Sequence, residues 1–270
     1  MNTLKHFAVW LLIPIETVCN KEVLSFIDSL RNKRLKAKTI NCYLQSIRSF
    51  YDYLYDEEGL RITNPVKKGY ALRESKPLPK YLKDHEVAKL FECVKSLRDR
   101  AIFKIMLRCG LRVEELANLS RSDVYLRRRL IHIKNGKGNK DRIVYISNDA
   151  LIDLVAYLEE RSSSEEKIFL VEKGTYKGKP ISVRGIQKRM EYYAKKINLK
   201  ISCHHLRHTM ATQLLNAGMD LVSIQDLLGH TRIKTTERYT KVSNVKVMKD
   251  YFKAIDAVIK RPTPMGVDIH

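Results

Sequence analysis

Four short strings gather the residues able to do chemistry: Gly110-Leu111-Arg112-Val113-Glu114-Glu115-Leu116, Gly136-Lys137-Gly138-Asn139-Lys140-Asp141-Arg142, His204-His205-Leu206-Arg207-His208, and Leu228-Gly229-His230 with Tyr239 nine residues further on. Each sets a basic or nucleophilic group beside a structural punctuation mark. Fixed guanidinium forks suit the charge that develops on phosphoryl oxygens in a transition state. Imidazoles titrate near neutrality and move protons. A phenol, with a pKa of about 10, becomes a nucleophile only when another group takes its proton. Together these types could serve a reaction at a phosphoryl group. Gly136-Lys137-Gly138 is not a P-loop, because no GxxxxGK followed by Ser or Thr is present. His204 and His208 have the i, i+4 spacing of zinc helices, yet the intervening Glu of HExxH is missing and Arg207 would sit beside the cation. Neither a metal nor a cofactor is expected.

The elements that must position these groups are mostly helices. Apolar residues recur at helical spacing in Asp84–Val94, in Leu97–Cys109 closed by Gly110, and in Val113–Leu119, Ala150–Glu160, Val183–Ile197, His205–Asn216 and Leu221–Leu228. One region differs: Leu130, Ile131, Ile133 and then Ile143, Val144, Ile146 flank Asn135-Gly136 and a polar loop, which predicts a hairpin carrying the lysine string. Near the N-terminus a first helix over Leu4–Ile13 is ended by Pro14. A second runs from Lys21 to Leu30, and a third opens at Thr39 and continues through Ile40, Leu44, Ile47 and Leu54. Asn41, Gln45, Arg48 and Ser49 lie on the polar side of the third, able to reach phosphates or base edges. After Tyr239, Val245, Met248, Tyr251, Phe252, Ile255 and Ile259 form another apolar stripe at helical spacing.

Between Gly59 and Lys80 the pattern breaks into Asn, Pro, Gly and Lys residues, which is linker chemistry, and a boundary is expected near residue 76. The expected organisation is a small helical domain over 1–75, a larger domain over 76–260 and a loose tail over 261–270. Lys and Arg number 51 against 30 Asp and Glu, a formal net charge of +21, of which residues 1–75 hold only +4. Such an excess draws a polyanion. The longest apolar stretch, Phe7–Ile15, is interrupted by Pro14 and falls short of the roughly 20 residues a membrane helix needs, so no membrane role is expected. Five cysteines with no CxxC spacing fit reduced thiols in cytoplasm.

In residue type and chain order the four strings resemble the catalytic motifs of the tyrosine recombinases, the integrase and Xer family. The resemblance spans nearly the whole chain: residues 80–260 look like the catalytic domain, and residues 16–66 like the small helical core-binding domain. It implies a mainly α fold with a small β-sheet, in which a SAM-like helical DNA-binding domain precedes a mixed α/β catalytic domain. By the same resemblance, Arg112 and Arg207 clamp the scissile phosphate, and Tyr239 attacks the phosphorus to give a 3′-phosphotyrosyl bond and a free 5′-hydroxyl. His204 matches the general base, His230 the phosphate-bonding histidine, and Lys137 the acid that protonates the leaving oxygen. Lys140 is the rival for that role and otherwise a DNA contact. Glu115 matches the acidic residue that orients the catalytic groups.

The implied partners are double-stranded recombination sites and other copies of this chain, four around two duplexes, with the last helix either packed on its own domain or donated in trans. Thr39, Asn41, Gln45 and Arg48 are expected to touch DNA. The role is resolution of chromosome or plasmid dimers, or movement of an integrative element. The alternatives are a type IB-like topoisomerase and a catalytically inactive DNA-binding accessory protein; retention of all six catalytic residues argues against the second.

Overall fold

The structure, a computed structural model, describes residues 3–74, 80–134, 141–229 and 240–260. Lys137, Lys140, His230, Tyr239, the Asn135-Gly136 turn, the boundary expected near residue 76 and the tail from 261 lie outside the described residues. The chain divides into two compact units, Met1–Leu78 and Pro79–His270.

The first unit is built from α1 (Thr3–Trp10), α2 (Asn20–Asn32) and α3 (Ala37–Asp56). Their apolar faces meet in one cluster where Val23, Phe26, Ile27 and Leu30 of α2 oppose Ile40, Leu44, Ile47 and Tyr51 of α3. Phe26 is its hub, with the Phe7 ring at 4.9 Å and the Trp10 ring at 5.1 Å. Helix α1 stops at Trp10, earlier than the expected Ile13. Pro14 has no N–H to offer a helix and disfavours the helical conformation for the residue before it. Leu12, just past the helix end, is left 96% exposed.

The second unit contains α4 (Asp84–Cys93), α5 (Leu97–Cys109), α6 (Val113–Ala117), the strands β1 (Val124–Tyr125), β2 (Leu130–Ile133) and β3 (Arg142–Tyr145), then α7 (Asn148–Glu160), α8 (Val183–Lys196), α9 (Cys203–Asn216), α10 (Leu221–Leu228) and α11 (Thr240–Lys260). Helix α5 is its centre, buried at every position from Ala101 to Cys109. Burying a whole helix buries its charges, and each is paired. Asp99 accepts from Arg98 (2.6 Å), from Arg189 of α8 (2.7 Å) and from the Tyr193 hydroxyl (3.1 Å). Asp149 of α7 accepts from Arg108 (2.9 Å) and Lys104 (3.3 Å). Such pairs offset the desolvation of ions that would otherwise be prohibitive, and they pin α7 and α8 to α5.

The sheet is antiparallel in the order β1-β2-β3, with Ile131 opposite Val144 and Ile133 opposite Arg142. The expected hairpin is β2–β3. Strand β1 adds a third, and at two residues it is too short to carry an alternating pattern. Helix α11 closes a separate cluster: Val247, Tyr251, Ala254 and Ile255 are buried against Met210, Leu214, Leu227 and Leu228, while Met248 and Ile259 of the expected stripe sit at its exposed edge. The Tyr251 hydroxyl donates to the Arg108 carbonyl at 3.0 Å. No described helix is long and apolar enough to cross a membrane.

Gly110 ends α5 in the left-handed region, at φ +67, and a Cβ there would lie 2.7 Å from Met210 Sδ and 3.0 Å from Leu228 Cδ2. Gly110→Ala should therefore cost roughly 2–4 kcal/mol, from the left-handed penalty and from overpacking. Urea denaturation measures this, and a change below about 0.5 kcal/mol, the ordinary scatter of surface substitutions, would contradict it.

Candidate active site

The turn between α5 and α6 holds the first arginine. Arg112 is extended (φ −72, ψ 153) and caps α6, while Glu115, at the third helical position, accepts the Arg112 backbone N–H at 2.8 Å. That is half of a capping box, with its carboxylate placed where capping needs it. The same carboxylate accepts Arg112 Nη1 at 2.7 Å. Arg142, the first residue of β3, grips it from the other side, Nη1 to Oε1 at 2.8 Å and Nη2 to Oε2 at 2.7 Å. Each oxygen of Glu115 thus receives two donors. Burial works to raise its pKa, but the Arg142 hydrogen bonds and charge, with the Arg112 N–H and guanidinium, outweigh it and bring it down to about 2. Glu115 is a carboxylate throughout the physiological range.

The end of α10 supplies the remaining acceptors. The last carbonyls of a helix have no partner within it and carry its negative pole. Leu227 O accepts Arg142 Nε at 3.0 Å, Leu228 O accepts Arg207 Nη2, and Arg112 Nη2 lies 3.4 Å from both Leu228 O and Gly229 O. Arg207 also donates through Nη1 to the Gly110 carbonyl, which the left-handed turn presents. Gly229 ends α10 at φ +61, and a Cβ there would come 3.0 Å from Arg142 Cδ. Arg207 is 3% exposed. Burial first, then the charges of Arg112 and Arg142, pull its pKa down to about 9 against the opposing pull of Glu115. It remains a cation at neutral pH. Three guanidinium groups here face one carboxylate, and the surplus positive charge calls for an anion.

Helix α9 brings the histidines. Ser202 precedes it, and its N–H donates to His205 Nδ1 at 2.9 Å, so an imidazole occupies the place that Glu or Gln takes in a usual capping box. His204 and His208 lie one turn apart with ring centroids 4.3 Å apart at 78°. Burial, then Arg207, His205 and Arg112, hold His204 below its ordinary 6.5. A neutral imidazole beside two arginines can accept a proton. Arg112, His204 and Arg207 line one cavity of about 350 Å³ floored by Met106, Leu111 and Met190.

Of the residues expected from the sequence, Arg112, Glu115, His204 and Arg207 come together here. Lys137, Lys140, His230 and Tyr239 lie outside the described residues, although the chain enters His230 directly from Gly229 and leaves Tyr239 directly into α11. Asn41, expected to face DNA, instead ties its own unit together. Its amide donates to Leu72 O (2.9 Å) and Glu74 Oε1 (2.7 Å), and its oxygen accepts the Leu72 N–H (2.8 Å). Thr39 and Gln45 are exposed on α3, and Arg48 is half-buried. Arg142 was not anticipated. Its signal was its place at the end of the Gly136–Arg142 string, an arginine opening an otherwise apolar strand.

Residues 80–245 match the phage integrase family, and residues 1–58 match the phage integrase N-terminal SAM-like domain. The tyrosine recombinase XerA of Pyrococcus horikoshii is 32% identical over 235 residues, 87% of this chain and 80% of that protein. The tyrosine recombinase XerC of Oceanobacillus iheyensis is 34% identical over 273 residues, 94% of this chain and 87% of that one. Among solved structures, the Tn1549 transposon integrase in complex with circular intermediate DNA superposes with a TM-score of 0.67 at 19% identity, covering 92% of this chain and 87% of that one.

Burial first holds His205 and His208 below 6.5 as well. Groups kept neutral by folding leave the unfolded chain to bind the protons, so stability is full above pH 6.5 and falls as pH drops through the lowered values. Protonated His205 also loses the acceptor that caps Ser202. The thermal midpoint should fall between about pH 7.5 and about pH 5.5, and His205→Gln, which keeps the cap without the titration, should flatten that slope. Identical slopes in both proteins would contradict this account.

Proposed function

The chain belongs to the phage integrase family and is a site-specific tyrosine recombinase, an enzyme that exchanges DNA strands, and from that premise we propose that Arg112, Lys137, His204, Arg207, His230 and Tyr239 carry its chemistry. Convergence of Arg112 and Arg207 on the end of α10, with Glu115 bonded to Arg112, beside a neutral His204 is the observation that carries this assignment. In the cleavage step Tyr239 Oη forms a bond to phosphorus and the bond from phosphorus to the 5′-oxygen breaks. His204 takes the phenol proton, and Lys137 gives a proton to the departing oxygen. Arg112 and Arg207 stabilise the charge on the non-bridging oxygens, and His230 hydrogen-bonds one of them. Removing one such donor typically costs about 10² to 10³ in rate. The 3′-phosphotyrosyl bond conserves the energy of the broken diester, so the 5′-hydroxyl of a partner strand reverses the step without ATP.

Double-stranded DNA is the partner, and the net charge of +21 supplies the attraction. We further propose four protomers around two duplexes, working in the cytoplasm. Helix α11 fills its own unit's core through Tyr251 and Ile255, and the same stripe would serve equally for donation to a neighbour. Met248→Ser with Ile259→Ser, at the exposed edge of α11 and outside its core contacts, should weaken cooperative DNA binding while the thermal midpoint holds; unchanged cooperativity in gel-shift titrations would remove the trans arrangement.

Tyr239 is tested by incubating wild type and Tyr239→Phe with a labelled nicked duplex drawn from DNA flanking the gene, then running denaturing gels. Wild type should form a covalent adduct that the variant lacks. Site-specific binding with no adduct would favour the non-catalytic DNA-binding reading.

A further inference from the structure

Nothing in the chemistry above uses Arg142, yet it is the most heavily committed side chain at the site. Its guanidinium and the Glu115 carboxylate are each 9% exposed and joined by two parallel hydrogen bonds, Nη1 to Oε1 at 2.8 Å and Nη2 to Oε2 at 2.7 Å. Its Nε reaches the Leu227 carbonyl at 3.0 Å, and its stem packs against Gly229, where no Cβ would fit without displacing it. Forked pairs of this kind are the strongest and most directional ion pairs a protein makes.

The electrostatics give the fork a purpose. Glu115 must touch Arg112 to aim it, through Nη1 at 2.7 Å and the backbone N–H at 2.8 Å. A carboxylate that close, in a partly buried site, would cancel much of the charge that Arg112 offers a phosphate. Arg142 supplies the compensating cation. Arg112, Glu115 and Arg142 together keep a net charge of one positive unit; without Arg142 the pair is neutral. We propose that Arg142 is a positioning residue that neutralises Glu115, so that Arg112 is oriented by a carboxylate without losing its charge. This rests on the assignment of Arg112 as a phosphate clamp.

The test compares a phosphodiester with a methylphosphonate at the scissile position, in the nicked duplex described above. Replacing one charged oxygen by methyl lowers the demand for positive charge, so a loss caused by missing charge shrinks on that substrate, whereas a loss from poor folding does not. Arg142→Gln should lower phosphodiester cleavage by about 10- to 100-fold and methylphosphonate cleavage by no more than about threefold. The double variant Arg142→Gln with Glu115→Gln restores the net positive unit and should cleave the phosphodiester about tenfold faster than Arg142→Gln alone. Should Arg142→Gln melt below the assay temperature, Arg142→Lys carries the comparison, since it keeps the charge and loses the fork; its ratio of phosphodiester to methylphosphonate rates should stay within about twofold of wild type.

Equal losses on both substrates, no gain in the double variant, or a lysine variant whose ratio falls about tenfold overturns the proposal. Wild type that forms no adduct on either substrate removes the clamp assignment itself, which separates that failure from this one.

Discussion

Three guanidinium groups held around one carboxylate and one helix end constrain everything else in the second unit. Two like unit charges 5 Å apart repel by roughly 3 kcal/mol at an effective dielectric of about 20, so such a cluster forms only where acceptors are fixed in advance. Here they are fixed by backbone. Leu227, Leu228 and Gly229 turn their carbonyls outward because α10 ends there, and Gly110 presents its carbonyl because α5 ends in a left-handed turn. Glu115 is held by the helix it caps. The depressed pKa of Arg207 registers its burial first and then the repulsion that remains from Arg112 and Arg142. On the proposed assignment, a phosphodiester entering between these groups would relieve that repulsion, so the free site is poised toward the charge distribution that the reaction creates.

Helix α5 transmits this order to the rest of the fold. Its buried charges bind α7 through Asp149 and α8 through Asp99, and its last turn gives the Arg108 carbonyl to Tyr251 and the Gly110 carbonyl to Arg207. One helix end therefore anchors both Arg207 and α11. Gly229 stands against the guanidinium cluster, and α11 is held by its own core. Core packing and the proposed chemistry share the end of α5, so a substitution at Gly110 should act on both at once.

The sequence was most legible where pattern and punctuation agree. Helix α10 and the α5 terminus at Gly110 follow from apolar spacing closed by glycine, and the hairpin from two β-rich runs around Asn-Gly. The Arg112, Glu115, His204 and Arg207 group was legible because each stands beside a turn in a recognisable string. Less legible were features that depend on three-dimensional neighbours. Asn41 lies on the polar side of α3, and periodicity cannot distinguish a groove-facing amide from one that ties down a following loop. Arg142 looks like a charge at the edge of a strand, and only the fold shows that Glu115, 27 residues away, is its partner. Likewise, no linear pattern tells that a helix carrying Arg98, Asp99, Lys104 and Arg108 will be buried on every side, because its partners come from α7 and α8.

The site separates permanent charge from movable protons, and that division suits a reaction that must run both ways. Arginines keep their charge at any physiological pH, so the proposed clamp is the same for cleavage and for rejoining. Proton carriers must change state instead. His204, held below its ordinary pKa by burial and by the arginines themselves, is neutral before attack and therefore ready to accept. In the proposed mechanism, His204 carrying the phenol proton is an imidazolium beside two guanidinium groups, which favours returning that proton when the phosphotyrosyl bond is broken. The cations proposed to stabilise the transition state would thus also keep the proposed base weak enough to be an acid in reverse. A stronger base would speed the first attack and slow the second, and strand exchange requires both.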